Sequence, residues 1–111
     1  MQQPDFSLPI QQFVSLLVAE DYQAVVKMSY QKDRLQAVWI AEAIHLYPGQ
    51  LTLPPATAYD TMDVYEYEDG SGYLVEFFLW VDQEPSDLMI QVEARWADNK
   101  LHYTFWDILV P

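Results

Sequence analysis

Cysteine is absent from this 111-residue chain, and lysine and arginine together number only five. Without a thiol there is no disulfide framework, no thiolate nucleophile and no cysteine-based zinc site, so a reducing compartment is permitted. Against the five bases stand 17 acids, for a formal charge of −12 at pH 7. Nucleic-acid binders neutralise phosphates with lysine and arginine, so a chain this poor in both is expected on neither a phosphate backbone nor an anionic membrane. Glycine is scarce too: Gly49, Gly70 and Gly72 are the whole set, and no glycine-rich phosphate loop can be made of them. Apolar runs such as Phe77-Phe78-Leu79-Trp80-Val81 are much shorter than a membrane span. Met1-Gln2-Gln3-Pro4-Asp5 lacks the basic stretch of a signal peptide, and the expected location is cytoplasmic.

What the chain does have is apolar and aromatic material, 51% and 15% of its residues, enough for one core in one domain over 1–111. Its period changes along the way. In the helical part, residues 9–47, Ser7 before Leu8-Pro9 reads as an N-cap, and Ile10, Phe13, Val14 and Leu17 share one helix face. Asp21 can cap a short second helix carrying Val25 and Val26. Asp33 can cap a third, with Ala37, Ile40, Ala41 and Ile44 on one side and Pro48-Gly49 as its stop. Residues 48–60, with Pro54-Pro55, read as a connector. In the sheet part, 61–110, strands are expected over 61–67, 73–81, about 88–96 and 101–109. Glu68 to Gly72, Asp82 to Asp87 and Asp98-Asn99 would separate them. Helices followed by closely spaced strands predict an α+β fold, with about three N-terminal helices on one face of a four-stranded antiparallel meander.

The charge is unevenly placed. Between Leu35 and Ala94 there is no lysine or arginine, while Glu42, Asp60, Asp63, Glu66, Glu68, Asp69, Glu76, Asp82, Glu84, Asp87 and Glu93 all fall there. Such a field attracts basic proteins and speeds their encounter, although acidic surface also serves solubility alone. If Tyr73, Val75, Phe77 and Leu79 face the helices, pleating sends Glu76, Phe78 and Trp80 to the opposite face, beside Gln91, Glu93 and Arg95. Aromatic anchors among acids describe a protein-binding patch. Phe78 and Trp80 could equally be covered by a loop or by the C-terminal residues.

Chemistry-bearing candidates are few. Asp82, Glu84 and Asp87 lack the glycine and terminal glutamate of an EF-hand loop, and a turn in which Ser86 or Asp87 caps backbone amides is the simpler reading. His45 and His102 sit in no metal-ligand spacing. Glu76 and Asp107, each between apolar neighbours, are the carboxylates expected to be partly buried. No catalytic set, metal site or cofactor is expected from these residues, and the protein is not expected to be an enzyme.

The run Ala41-Glu42-Ala43-Ile44, the tract Pro54-Pro55-Ala56-Thr57-Ala58-Tyr59 leading into Asp63-Val64-Tyr65-Glu66-Tyr67, and Pro85-Ser86-Asp87-Leu88 together resemble an uncharacterised bacterial domain family. In that family a helical start with a Gly-Asp-Tyr-like bend, here Ala19-Glu20-Asp21-Tyr22, leads through a double proline into strands. The likeness spans nearly the whole chain and brings no catalytic residues with it. By physical type, a small, cysteine-free, strongly acidic domain also resembles the immunity proteins that neutralise secreted toxins. That resemblance implies occlusion of a basic, nuclease-type toxin, with Glu66, Glu68, Asp69, Glu76 and Glu93 standing in for phosphates and Phe78 and Trp80 as anchors. The order of elements loosely resembles the nuclear-transport-factor-like cone fold as well, apart from a missing helix between strands. This implies a different expectation: a small-ligand-binding domain or minor enzyme with a pocket between helices and sheet, walled by Trp39, Tyr47, Trp96 or Trp106, with Glu76, Asp107 or His102 at its centre.

Overall fold

A computed structural model describes residues 3–111. Three helices, α1 (Ser7–Val18), α2 (Tyr22–Met28) and α3 (Ala37–Leu46), precede a five-stranded antiparallel sheet. Its strands are β1 (Leu51–Thr52), β2 (Asp63–Glu66), β3 (Gly72–Val81), β4 (Glu84–Ala97) and β5 (Lys100–Leu109), with a 3-10 helix over Ala56–Thr61 between the first two. The α+β class is as the sequence predicts. The extra strand comes from the proline-rich connector, where Leu51 and Thr52 pair with Val81 and Trp80 at one end of β3. At the other end, β2 pairs with residues 73–76, so β3 carries two partners along the same margin.

Layering follows from alternation. Val75, Phe77 and Leu79 of β3 and Ile90, Val92 and Ala94 of β4 point to one face and are buried there with Ile10, Phe13, Val14 and Leu17 of α1. Phe13 meets Phe105 of β5 at 5.7 Å between ring centroids, and Tyr59 of the 3-10 helix stacks on Phe77 at 5.0 Å. Trp96 belongs to the same alternating set as Ala94 but is exposed, unlike the other members of that stripe.

Two helix starts differ from expectation. At α1 the N-cap position is Phe6, and Asp5 accepts the amide hydrogen of Ser7 from one residue further back. Phe6 itself is buried, 5.1 Å from Tyr73. Asp21 does cap α2, accepting from the Ala24 amide. Asp33, however, caps nothing: α3 begins only at Ala37, because the preceding segment is drawn along β5. There Tyr30 donates its amide to the Tyr103 carbonyl at 2.8 Å, Gln31 donates to Thr104 Oγ1, and Phe105 donates to Ser29 Oγ at 3.0 Å.

The expected break over 82–87 is also much shorter. Asp82 and Gln83 both have positive φ, 51° and 66°, and make a two-residue reversal, so that Glu84 to Asp87 already lie in β4. Left-handed backbone at two non-glycine positions needs support, and β1 supplies it. Asp82 donates its amide to the Gln50 carbonyl, Gln50 donates to Asp82 Oδ1, and Gln83 donates to Thr52 Oγ1. Ser86 does cap locally, accepting from the Leu88 amide while donating to the Leu79 carbonyl. Gly72 is required by close approach: a Cβ there would lie 2.1 Å from the Ala94 carbonyl oxygen.

The Ser29 hydroxyl accepts from Phe105 and donates to the Val25 carbonyl, joining α2 to β5 in a buried position. Ser29→Ala should therefore strand the Phe105 amide and lower unfolding free energy by about 1–3 kcal/mol. Urea denaturation measures that loss, and faster hydrogen exchange at Phe105 locates it.

Candidate interaction face

The face of the sheet turned away from the helices is built in rows by strand register. Asp63 lies opposite Glu76, Glu76 opposite Gln91, and Gln91 opposite Asp107, so one row runs from β2 to β5. Strands are about 4.8 Å apart, and the row is therefore about 14 Å long. On one side stand Tyr65 and Leu74, on the other Phe78 and Met89. Tyr65 is 54% exposed and Phe78 40%.

Gln91 donates from Nε2 to Glu76 at 2.8 Å, and Asp107 accepts the amide of Ile108. Among the described residues no hydrogen bond reaches the Asp63 carboxylate. It faces Glu76 directly across the strand pair, an arrangement that destabilises a sheet when both side chains are charged. Their field reaches Tyr65, whose hydroxyl is pushed up from its usual pKa first by Glu76, then by Asp63. Among the described residues the ion pairs are Arg95 with Glu93 and His45 with Glu20, so no base lies within pairing distance of Asp63 or Glu76. Two further cations are engaged elsewhere: Arg34 sits over the Trp106 ring at 3.9 Å and donates to the Trp106 carbonyl, and Lys32 donates to the carbonyls of Lys27 and Ser29.

The sequence nominated Glu66, Glu68, Asp69, Glu76, Phe78, Trp80 and Glu93. Glu66 at the end of β2 and Glu68 and Asp69 in the following turn are exposed, and Glu76 is half-buried in the row. Hydrogen bonds from Ser71 hold the Asp69 carboxyl below the usual range. Phe78 lies on the outer face. Trp80 is half-buried and packs against the core cluster; the β3–β4 register shifts between Phe78 and Trp80, and such an irregularity re-aims the strand.

Glu93 requires a correction. It is 2% exposed, its carboxylate accepting from the Tyr67 hydroxyl at 2.9 Å and from Arg95 Nε and Nη2 at 3.2 Å each. Burying a carboxylate demands such partners, and with them in place it offers nothing to a visitor. Burial, then the bond to Glu93, push the Tyr67 hydroxyl up to about 12. A groove of ≈ 530 Å³ passes over this cluster between Glu68, Asp69 and Trp106.

Sequence reasoning passed over Asp63 and Tyr65. Both stood in an expected strand, but only the register shows that Asp63 meets Glu76. The residues expected to wall a pocket between helices and sheet do not converge. Trp39 and Trp96 are exposed, and Trp106 lines the groove beside Tyr67 and Arg95. His102 is held against the Ala97 carbonyl and the Tyr30 ring, and Tyr47 donates its hydroxyl to Asp87. Between the layers, the recess bounded by Val25, Ser29, Ile40 and Phe105 has no room for a water molecule. A recess of ≈ 270 Å³ opens elsewhere, at the helix margin beside Leu17, Tyr22, Ile44, His45 and Leu51. No group of three or more potential metal ligands occurs among the described residues, and no described helix is long and apolar enough to cross a membrane.

A family model described as a domain of unknown function, DUF7668, matches residues 14–111. Comparison with curated proteins and with solved structures gives no match.

Arg95→Leu should cost roughly 3 kcal/mol by leaving the Glu93 charge buried without its cation. Adding Glu93→Gln should restore much of the loss, which chemical denaturation of the single and double variants measures. At high pH the sign is set by Tyr67: its pKa is raised on folding, so its contribution is intact below about 10 and lost as pH rises through about 12. Thermal melts across that window should show stability falling, and less steeply in Tyr67→Phe.

Proposed function

Because the chain belongs to the DUF7668 family, which is defined without a function, its own surface has to carry the reading, and we propose that it is an acidic protein-binding domain whose partner is basic. The observation that carries this is the directly opposed Asp63–Glu76 pair, which has no cation partner among the described residues and lies between two exposed aromatic rings. Solubility is served by carboxylates anywhere on a surface and does not call for two in directly opposed positions. A lysine or arginine from a partner would relieve their repulsion, and its aliphatic stem would lie against Tyr65 and Phe78. Glu66, Glu68 and Asp69 form an exposed rim that steers the approach.

The form we propose for this binding is stoichiometric occlusion, in the manner of an immunity protein covering a nuclease-type toxin, with carboxylates where the basic site takes phosphates. Phe78 replaces Trp80 as the central anchor of that scheme, and Glu93 drops out of the contact set.

Immobilised domain exposed to extract of its native host should retain a basic protein at low and at moderate salt; retention at neither overturns the reading. With that partner in hand, Asp63→Asn should do two opposite things. It should raise the stability of the free domain by about 0.2–1 kcal/mol, because the opposed charges are gone. It should also slow association and flatten its salt dependence. Phe78→Ala should instead raise the dissociation rate, at a cost of about 1 kcal/mol or more to binding.

A further inference from the structure

The two margins of the sheet are treated differently. Along β5 the segment Ser29 to Gln31 supplies the missing partners, as described above. Along β2 no described residue does: among the described residues β2 pairs with β3 alone. The phase of the ladder is fixed by Tyr67, which donates its amide to the Gly72 carbonyl at 2.9 Å. Antiparallel pairs alternate, so Tyr65 and Asp63 also turn their backbone groups toward β3, while Val64 and Glu66 turn theirs outward. Among the described residues no hydrogen bond reaches the outward groups of Val64 or Glu66. Alternation also divides the side chains. Asp63 and Tyr65 stand on the outer face, and Glu66 on the other.

We propose that this free margin of β2 takes up an extended basic segment of the partner as an additional strand, an inference that rests on the acidic-binding reading and supplies its mode. Charge complementarity selects the occupant. A second copy of this chain would bring Asp63 and Glu66 against the same acids and be repelled. A strand with cations beside Asp63 and Glu66, three positions apart and on opposite faces, gains two favourable cross-strand pairs together with the main-chain ladder. The cation beside Asp63 continues the Asp63–Glu76 row outward by one strand, two strand spacings or about 10 Å from Glu76, so margin and face adjoin.

The probe is a capped heptapeptide of threonine and valine with two lysines three positions apart, and its analogue N-methylated at every backbone amide. The two carry equal charge, but only the first can pair along a strand. The unmodified peptide should bind, slow hydrogen exchange at Val64 and Glu66 by roughly tenfold or more, and lose that affinity roughly tenfold on N-methylation. In the protein, Glu66→Pro and Glu66→Gln remove the same charge, but only proline removes the outward donor, so Glu66→Pro should be the more damaging to binding. Should Glu66→Pro fail to fold, the peptide pair decides alone. Equal binding of both peptides without exchange protection overturns strand addition and leaves the acidic face standing. Binding of neither also overturns strand addition, and the Asp63→Asn effect on the partner from host extract then judges the acidic reading separately.

Discussion

The apolar stripe that α1 covers on the two central strands is the constraint from which the rest of the molecule follows. Val75 and Phe77 of β3 and Ile90 and Val92 of β4 are buried together in the observed register, and a slip of one residue would turn one strand's pair to water. Once they are buried, Glu76 and Gln91 have no choice of face or neighbour, and the pairing of β2 on one side and β5 on the other carries Asp63 and Asp107 into the same line. The acid row is therefore a by-product of core burial, and its spacing is as rigid as the hydrogen-bonded ladder beneath it.

The same alternation puts two kinds of carboxylate on one surface. Glu93 lies in the row next to Glu76, yet it is enclosed and answered by Tyr67 and Arg95, while Asp63 and Glu76 are answered by no base among the described residues. A buried charge left alone would cost several kilocalories, whereas a like-charge pair at the sheet surface costs a fraction of a kilocalorie and can be carried in the free state. That difference separates an acid serving structure from acids available for recognition.

Much of this was legible in the residues. Apolar positions at 3.6 and 2.0 spacing give α1, β3 and the inner face of β4, and the switch between the two periods marks the fold class. Legibility ended where one segment's conformation is set by another. Asp82-Gln83 carries no glycine to announce a two-residue reversal, and it adopts one because Gln50 and Thr52 hold its amides. Asp33 looks like a cap, but pairing along β5 delays the helix to Ala37. At the candidate site, identities and faces were readable for Glu76 and Phe78. The burial of Glu93 depends on Tyr67 reaching across 26 residues of sequence, and the Asp63–Glu76 opposition depends on register.

The Ser29–Phe105 bond joins residues 76 apart and is one of the contacts that fasten the helical layer to the sheet. In the order of synthesis, α1 and α2 leave the ribosome with their apolar faces bare, and the strands that cover them arrive in the second half of the chain. The β3–β4 and β4–β5 hairpins form from near neighbours, at small loop-closure entropy, but the clasp onto Ser29 waits until β5 is in place. The nascent helices are thus exposed for most of translation, and a pause before β5 prolongs the interval in which they are open to aggregation or to a chaperone.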